Sequence, residues 1–256
     1  MSKRLKFITT SLILSLGFVA VQFLPEQYKL LTITLLGVLT VILFSWSLWE
    51  GLGVDMTLTS LILPFFFTVS VGFFWFLLPG NLFARIPIVV FYGGGIYALC
   101  LTVNIYTVAA IRTIALLRAA RGVGFVLTLL TSFLTFDAFL SLKLAFPLNG
   151  LLVFVSSLAL FFQGFWSIPL DKNFSTQVLT ASLISSLIMA EVASVLGFWP
   201  VTVVVGSLFL TVSLYVLLGL GQARLEARLF AQTTKEYLLI GLIVSLGMFL
   251  ATRWRG

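Results

Sequence analysis

The chain has 256 residues, 61% of them hydrophobic and only 9% charged, with a net charge of +7. A soluble domain of this size needs roughly a quarter of its residues charged, so most of this surface must face lipid. With no histidine and one cysteine, the chain alone cannot build imidazole- or thiolate-ligated zinc and haem sites, Ser-His-Asp or Cys-His catalysis, or an internal disulfide.

A helix crosses the hydrocarbon core in about 20 residues, with roughly 17 to 25 tolerated. On that measure apolar runs fall near 7–24, 29–49, 56–78, 88–111, 123–142, 148–168, 175–196, 200–221 and 237–252. The expected fold is all-α: a polytopic helical bundle integral to a membrane, about nine transmembrane helices in a single domain over 1–256, with no soluble domain. Eight spans is the alternative, because the last run is short.

In chain order, "MSKRLK" followed by "FITTSLILSLGFVAVQFL" starts like a signal peptide. The run is long and lacks a small-x-small cleavage site, so it is expected to stay as an uncleaved first span. Connections such as "PEQY", "EGLGVDM", "PGNLFARIP", "KLAFP", "PLDKNF" and "GFWP" are too short for an extramembrane domain. Pro25, Pro79, Pro87, Pro147, Pro169 and Pro200 fall at these breaks, where proline ends a helix cheaply. Pro64 alone falls inside a span, where it should kink the helix or lie in its first turns. Trp46, Trp49, Trp75, Trp166, Trp199 and Trp254 fall near span ends, the pattern of an interfacial aromatic belt.

The fourth run contains "FYGGGIYALCLTVN". Gly93, Gly94 and Gly95 permit either close helix packing or an unwound backbone whose carbonyls line an ion site. Asn104 suits an interhelical hydrogen bond or a ligand contact. Cys100 is expected to behave as a small buried apolar residue. The following segment, "AAIRTIALLRAARGVG", sets Arg112, Arg118 and Arg121 among Ala, Ile and Leu, as a short helix lying at the headgroups would.

Two acids interrupt later spans. Asp137 lies about 14 residues, or about 21 Å, along the fifth run, and Glu191 about 16 residues, or about 24 Å, along the seventh. Acids at such depth are costly unless paired, hydrated or protonated. They are candidates for a cation or proton site in an outward-facing polar cavity, with Lys143 and Arg85 as ion-pair partners; hydration near the surface is the simpler alternative. Ser182, Ser186, Ala190, Ala193 and Gly197 recur at steps of four and three, a close-packing seam that places the seventh span in the bundle interior and favours an inward Glu191. In "QARLEARLFAQTTKEY", Arg224 and Arg228 share one helical face and Leu225 and Leu229 another.

With the N-terminus in the cytoplasm, nine spans place ten Lys and Arg inside and five outside. That bias favours N-in and fits a bacterial plasma membrane. If the last run does not cross, "RWRG" returns inside and the division becomes twelve against three. The arginines at 112, 118, 121, 224 and 228 are then expected to anchor on anionic lipid headgroups or a cytoplasmic partner. The basic residues are too scattered for nucleic acid. No phosphate-binding loop or metal motif occurs, so no cofactor is expected. The functional expectation is a non-enzymatic membrane scaffold or assembly subunit. The alternatives are a small-solute or proton-coupled ion transporter using Asp137 and Glu191, and, third, an intramembrane carboxylate enzyme.

Overall fold

The computed structural model describes residues 2–21, 23–48, 54–77, 82–110, 115–171 and 175–252. Among them lie nine α-helices and no strand: α1 (Lys3–Val21), α2 (Glu26–Leu48), α3 (Val54–Leu77), α4 (Leu82–Ala109), α5 (Leu117–Ser141), α6 (Phe146–Trp166), α7 (Thr176–Leu196), α8 (Val203–Leu225) and α9 (Ala231–Ala251). Each contains a stretch long and apolar enough to cross a membrane. The chain is an integral membrane protein of helical-bundle architecture. Arg112, Trp49, Pro79, Lys172 and "RWRG" lie outside the described residues.

Several helix starts differ from the apolar runs. Pro87 does not end a helix but lies inside α4, in its second turn, where the missing N–H removes only one backbone bond. Pro64 lies well inside α3, which continues helical through it. The segment around Arg118 and Arg121 is not a separate headgroup helix. Both ride on the first turns of α5, because Ala119 and Ala120 extend that helix without a breaker. The polar residues from Gln232 to Glu236 join α9, lengthening the last span to 21 residues.

Nor is the 222–236 segment one helix with Arg224 and Arg228 on a common face. Arg224 is in the last turn of α8, and Ala227 takes a left-handed conformation with φ 55°. The N–H of Arg228 donates to the Ala223 carbonyl at 2.8 Å, and that of Ala227 to the Arg224 carbonyl at 3.1 Å. This pair of bonds is a Schellman closure, and it stops the helix before Arg228.

Contacts group the chain into two compact units, Met1–Thr131 with Leu170–Asn173, and Ser132–Pro169 with Phe174–Gly256. In the first, α1 packs on α2 and α4, α2 on α3, and α3 on α4, closing a four-helix ring. Its core is aromatic. Phe18 meets the Trp75 ring edge-on at 5.2 Å and the Tyr92 ring at 4.8 Å, and Phe67 stacks on Tyr92 at 5.8 Å. Trp75 is therefore a core residue, only 2% exposed, rather than part of an interfacial belt. Lys6 Nζ lies 5.6 Å from the Trp46 ring, tying the start of α1 to the end of α2.

In the second unit α6 packs along α7, and α8 contacts α6, α7 and α9. Ser182, Ser186 and Ala193 are buried. A Cβ on Gly150 would meet Ser194 Oγ and come within 3.3 Å of the Ala190 carbonyl, and one on Gly197 would lie 2.9 Å from Phe146 Cβ. The small-residue seam read from the sequence is thus the packing face of α7. Tyr237, near the start of α9, packs against Tyr215 of α8 at 5.2 Å. At its other end, Trp199 Nε1 donates to Thr252 Oγ1 at 2.7 Å. These two ties make α9 antiparallel to α8 along its whole length, although within α9 only Met248 is buried.

Candidate functional site

Asp137 is four residues from the end of α5 and only 6% exposed. Its hydrogen-bond partner is Ser207 of α8, whose hydroxyl lies 3.3 Å from Asp137 Oδ1 and also 3.0 Å from the Val204 carbonyl. Burial follows from the packing there: a Cβ on Gly206 would come within 3.0 Å of Leu140, so α8 sits close on the end of α5.

Glu191 is five residues from the end of α7, at a comparable distance from its helix terminus, but it is exposed. The expectation of an inward-facing acid fails for a geometrical reason. The buried Met189 and the buried seam residue Ala193 each lie two positions from Glu191, which is about 200° around a helix. A seam facing the bundle therefore turns Glu191 outward. Lys143 is exposed in the α5–α6 turn at φ 48°. The Arg85 guanidinium lies 4.9 Å from the Trp75 ring, a cation–π geometry.

Gly93, Gly94 and Gly95 lie in unbroken helix, so their carbonyls are not freed by unwinding. Ser11 Oγ of α1 donates to the Gly93 carbonyl at 2.7 Å. A Cβ on Gly93 would lie 2.7 Å from Ser15 Oγ, one on Gly95 would run into the Phe67 ring, and one on Gly94 would meet nothing within 4 Å. Two of the three are thus close-packing glycines for α1 and α3, and they belong to the first unit while both acids belong to the second. Asn104 is half-buried, its carbonyl accepting from Thr107 Oγ1 at 2.8 Å. Cys100 is fully buried. Arg118 is exposed, Arg121 half-buried and Arg224 exposed. Arg228 lies 3.7 Å from Glu226.

A polar feature the sequence did not disclose lies in the first unit. Tyr92 OH is 3.0 Å from Thr68 Oγ1, which is 3.0 Å from Thr40 Oγ1, and Thr40 donates to the Leu36 carbonyl at 2.8 Å. All three side chains are fully buried. Each hydroxyl has one proton, so Thr40's bond to Leu36 sets the order: Tyr92 donates to Thr68 and Thr68 to Thr40, the latter in competition with the Pro64 carbonyl at 3.0 Å. The chain joins α4, α3 and α2. No signal in the sequence separates Thr40 and Thr68 from the many threonines that bond only their own helix.

Among the described residues, grooves open on the second unit. One of about 480 Å³ is lined by Val155, Leu158, Ala159, Phe162 and Leu179, all apolar. A second, of about 370 Å³, lies among α7, α8 and α9, and a third, of about 360 Å³, lies chiefly between α7 and α8 and includes Arg224. Neither acid lines any of them. Among the described residues no cluster of acids and cysteine has the makings of a metal site.

Comparison with curated proteins and with solved structures finds no match. A family model described as a protein of unknown function (DUF5656) matches residues 8–251. Since that match covers nearly all of the described helices, the chain belongs to the DUF5656 family.

Proposed function

We propose that the chain is a non-catalytic scaffold or assembly subunit, acting through its lipid- and partner-facing surfaces, in a bacterial plasma membrane with its N-terminus in the cytoplasm. The orientation rests on the two-to-one excess of Lys and Arg that N-in threading places inside. The observation that carries the functional reading is the divergence of the two acids. Asp137 is sealed against Ser207 while Glu191 faces outward, so the described residues do not pair them as acid and base or as joint cation ligands. The grooves, by contrast, are open and mainly apolar, with Arg224, Gln177 and Thr180 in one of them, suited to lipid or to another helix. Reconstitution into liposomes with a pH and ion-flux screen tests the reading. Wild type and the Asp137→Asn/Glu191→Gln double variant should be equally silent; flux in the wild type that the variant loses would replace it with a transporter.

One observation favours that second reading, a small-solute or proton-coupled transporter. Asp137 is a buried intramembrane acid whose partner among the described residues is a neutral hydroxyl, and such acids commonly mark proton or ion pathways. It requires Asp137 to act without Glu191, so the single Asp137→Asn variant separates the two readings.

A further inference from the structure

The two grooves that touch α8 share Ile188 and Leu217 and so lie end to end, taken together as a furrow. At one end stands Arg224, in the last turn of α8, with Gln177 and Thr180 of the first turns of α7 beside it. From there the furrow runs between Ile184 and Leu220, past the shared pair, to Phe209 and Val212, with Leu238 and Leu242 of α9 along its second half. The hydroxyls of Ser213 and Ser245, which line that half, are turned to their own helices, donating to the Phe209 and Gly241 carbonyls at 2.9 and 2.8 Å. What they leave facing the furrow is apolar.

Length and charge identify the occupant. Phe209 and Arg224 are 15 residues apart in α8, about 22 Å along the helix, which spans one leaflet of a hydrocarbon core about 30 Å thick with allowance for its headgroup region. The furrow has one cation at its interfacial end and no acid among its lining residues. Arg228 lies 3.7 Å from Glu226, whereas Arg224 is exposed at the mouth of the furrow. A guanidinium forks onto phosphate oxygens, and the amide of Gln177 supplies a further donor.

We infer that this furrow is a binding site for an anionic phospholipid, its phosphate on Arg224 and one acyl chain lying between α7 and α8 toward α9. The inference does not depend on the scaffold reading, since a transporter could hold such a lipid equally well. The full chain, purified in detergent and stripped of lipid, is titrated with short-chain phosphatidylglycerol and phosphatidylcholine and bound lipid counted by native mass spectrometry. Phosphatidylglycerol should be retained preferentially, and Arg224→Gln should weaken it about fivefold while leaving phosphatidylcholine unchanged. Arg224→Lys should restore part of the preference, and Lys143→Gln, in the distant α5–α6 turn, none of the loss. Leu217→Trp, filling the furrow, should reduce both lipids. Equal retention of the two lipids by the wild type, or full phosphatidylglycerol binding by Arg224→Gln, would overturn the assignment. So would a photoreactive group at Ile184 that crosslinks to protein rather than to lipid in native membranes. Should a variant prove unstable, that crosslink in the otherwise unaltered chain still decides the matter.

Discussion

Ser207 of α8 holds Asp137 of α5 at 3.3 Å, and this bond joins two residues 70 positions apart in sequence at a point where both are buried. Removing one partner leaves a buried polar group unsatisfied, which costs more than the bond itself contributes. Ser207→Ala should lower stability by about 0.5–2 kcal/mol in a detergent unfolding assay. A double-mutant cycle with Asp137→Asn should show coupling, and strict additivity would mean that the two side chains do not interact.

The glycine triplet offers an internal control. Gly95→Ala must displace the buried Phe67 ring and with it the Phe67–Tyr92 stack, at a cost of about 1–3 kcal/mol. Gly94→Ala meets open space and should be neutral or stabilising by up to about 1 kcal/mol through helix propensity. Thermal melts of the two variants in the same detergent compare them directly. Equal losses would argue for a role of the glycines other than packing.

The hydroxyl chain makes a directional prediction. Tyr92→Phe removes the terminal donor and leaves Thr68 still bonded to Thr40, so its loss should be small, about 0.5–1 kcal/mol. Thr68→Val interrupts the chain in the middle: Tyr92 loses its acceptor and Thr40 its incoming donor, although Thr40 keeps its bond to the Leu36 carbonyl, so it should cost about twice as much. A larger loss for Tyr92→Phe than for Thr68→Val would show that Thr68 does not link Tyr92 to Thr40.

At the end of α8, Ala227 occupies the left-handed position of a Schellman closure without being glycine. An L-residue there is strained by about 1–2 kcal/mol, part of which glycine gives back through unfolded-state entropy. Ala227→Gly should therefore raise stability by a few tenths to about 1 kcal/mol. A loss would indicate that the α8–α9 turn rearranges.

Which features could be read from the residues follows from what each signal reports. Hydropathy reports where a helix must face lipid, so the nine candidate spans among the described residues were legible. It does not report where a helix ends, so the starts of α4, α5 and α9, each polar or basic, were placed too late. Asp137 was visible as an anomaly, but Ser207 was not, because nothing local links one serine of α8 to an acid 70 residues earlier. Glu191 is a different case. Its outward direction was already implied by the seam at Ser186, Ala190 and Ala193, since one face of α7 cannot hold both that row and residue 191. The furrow with Arg224 at its mouth needs three helices to exist and has no signature in any one of them.

The proposed orientation turns on α9, the least buried helix: crossing the bilayer beside α8, it brings the chain to an odd number of crossings. Reporters fused ahead of Met1 and behind Gly256 measure this directly. The first should lie on the cytoplasmic side and the second on the opposite side; finding both on one side would rule out that topology.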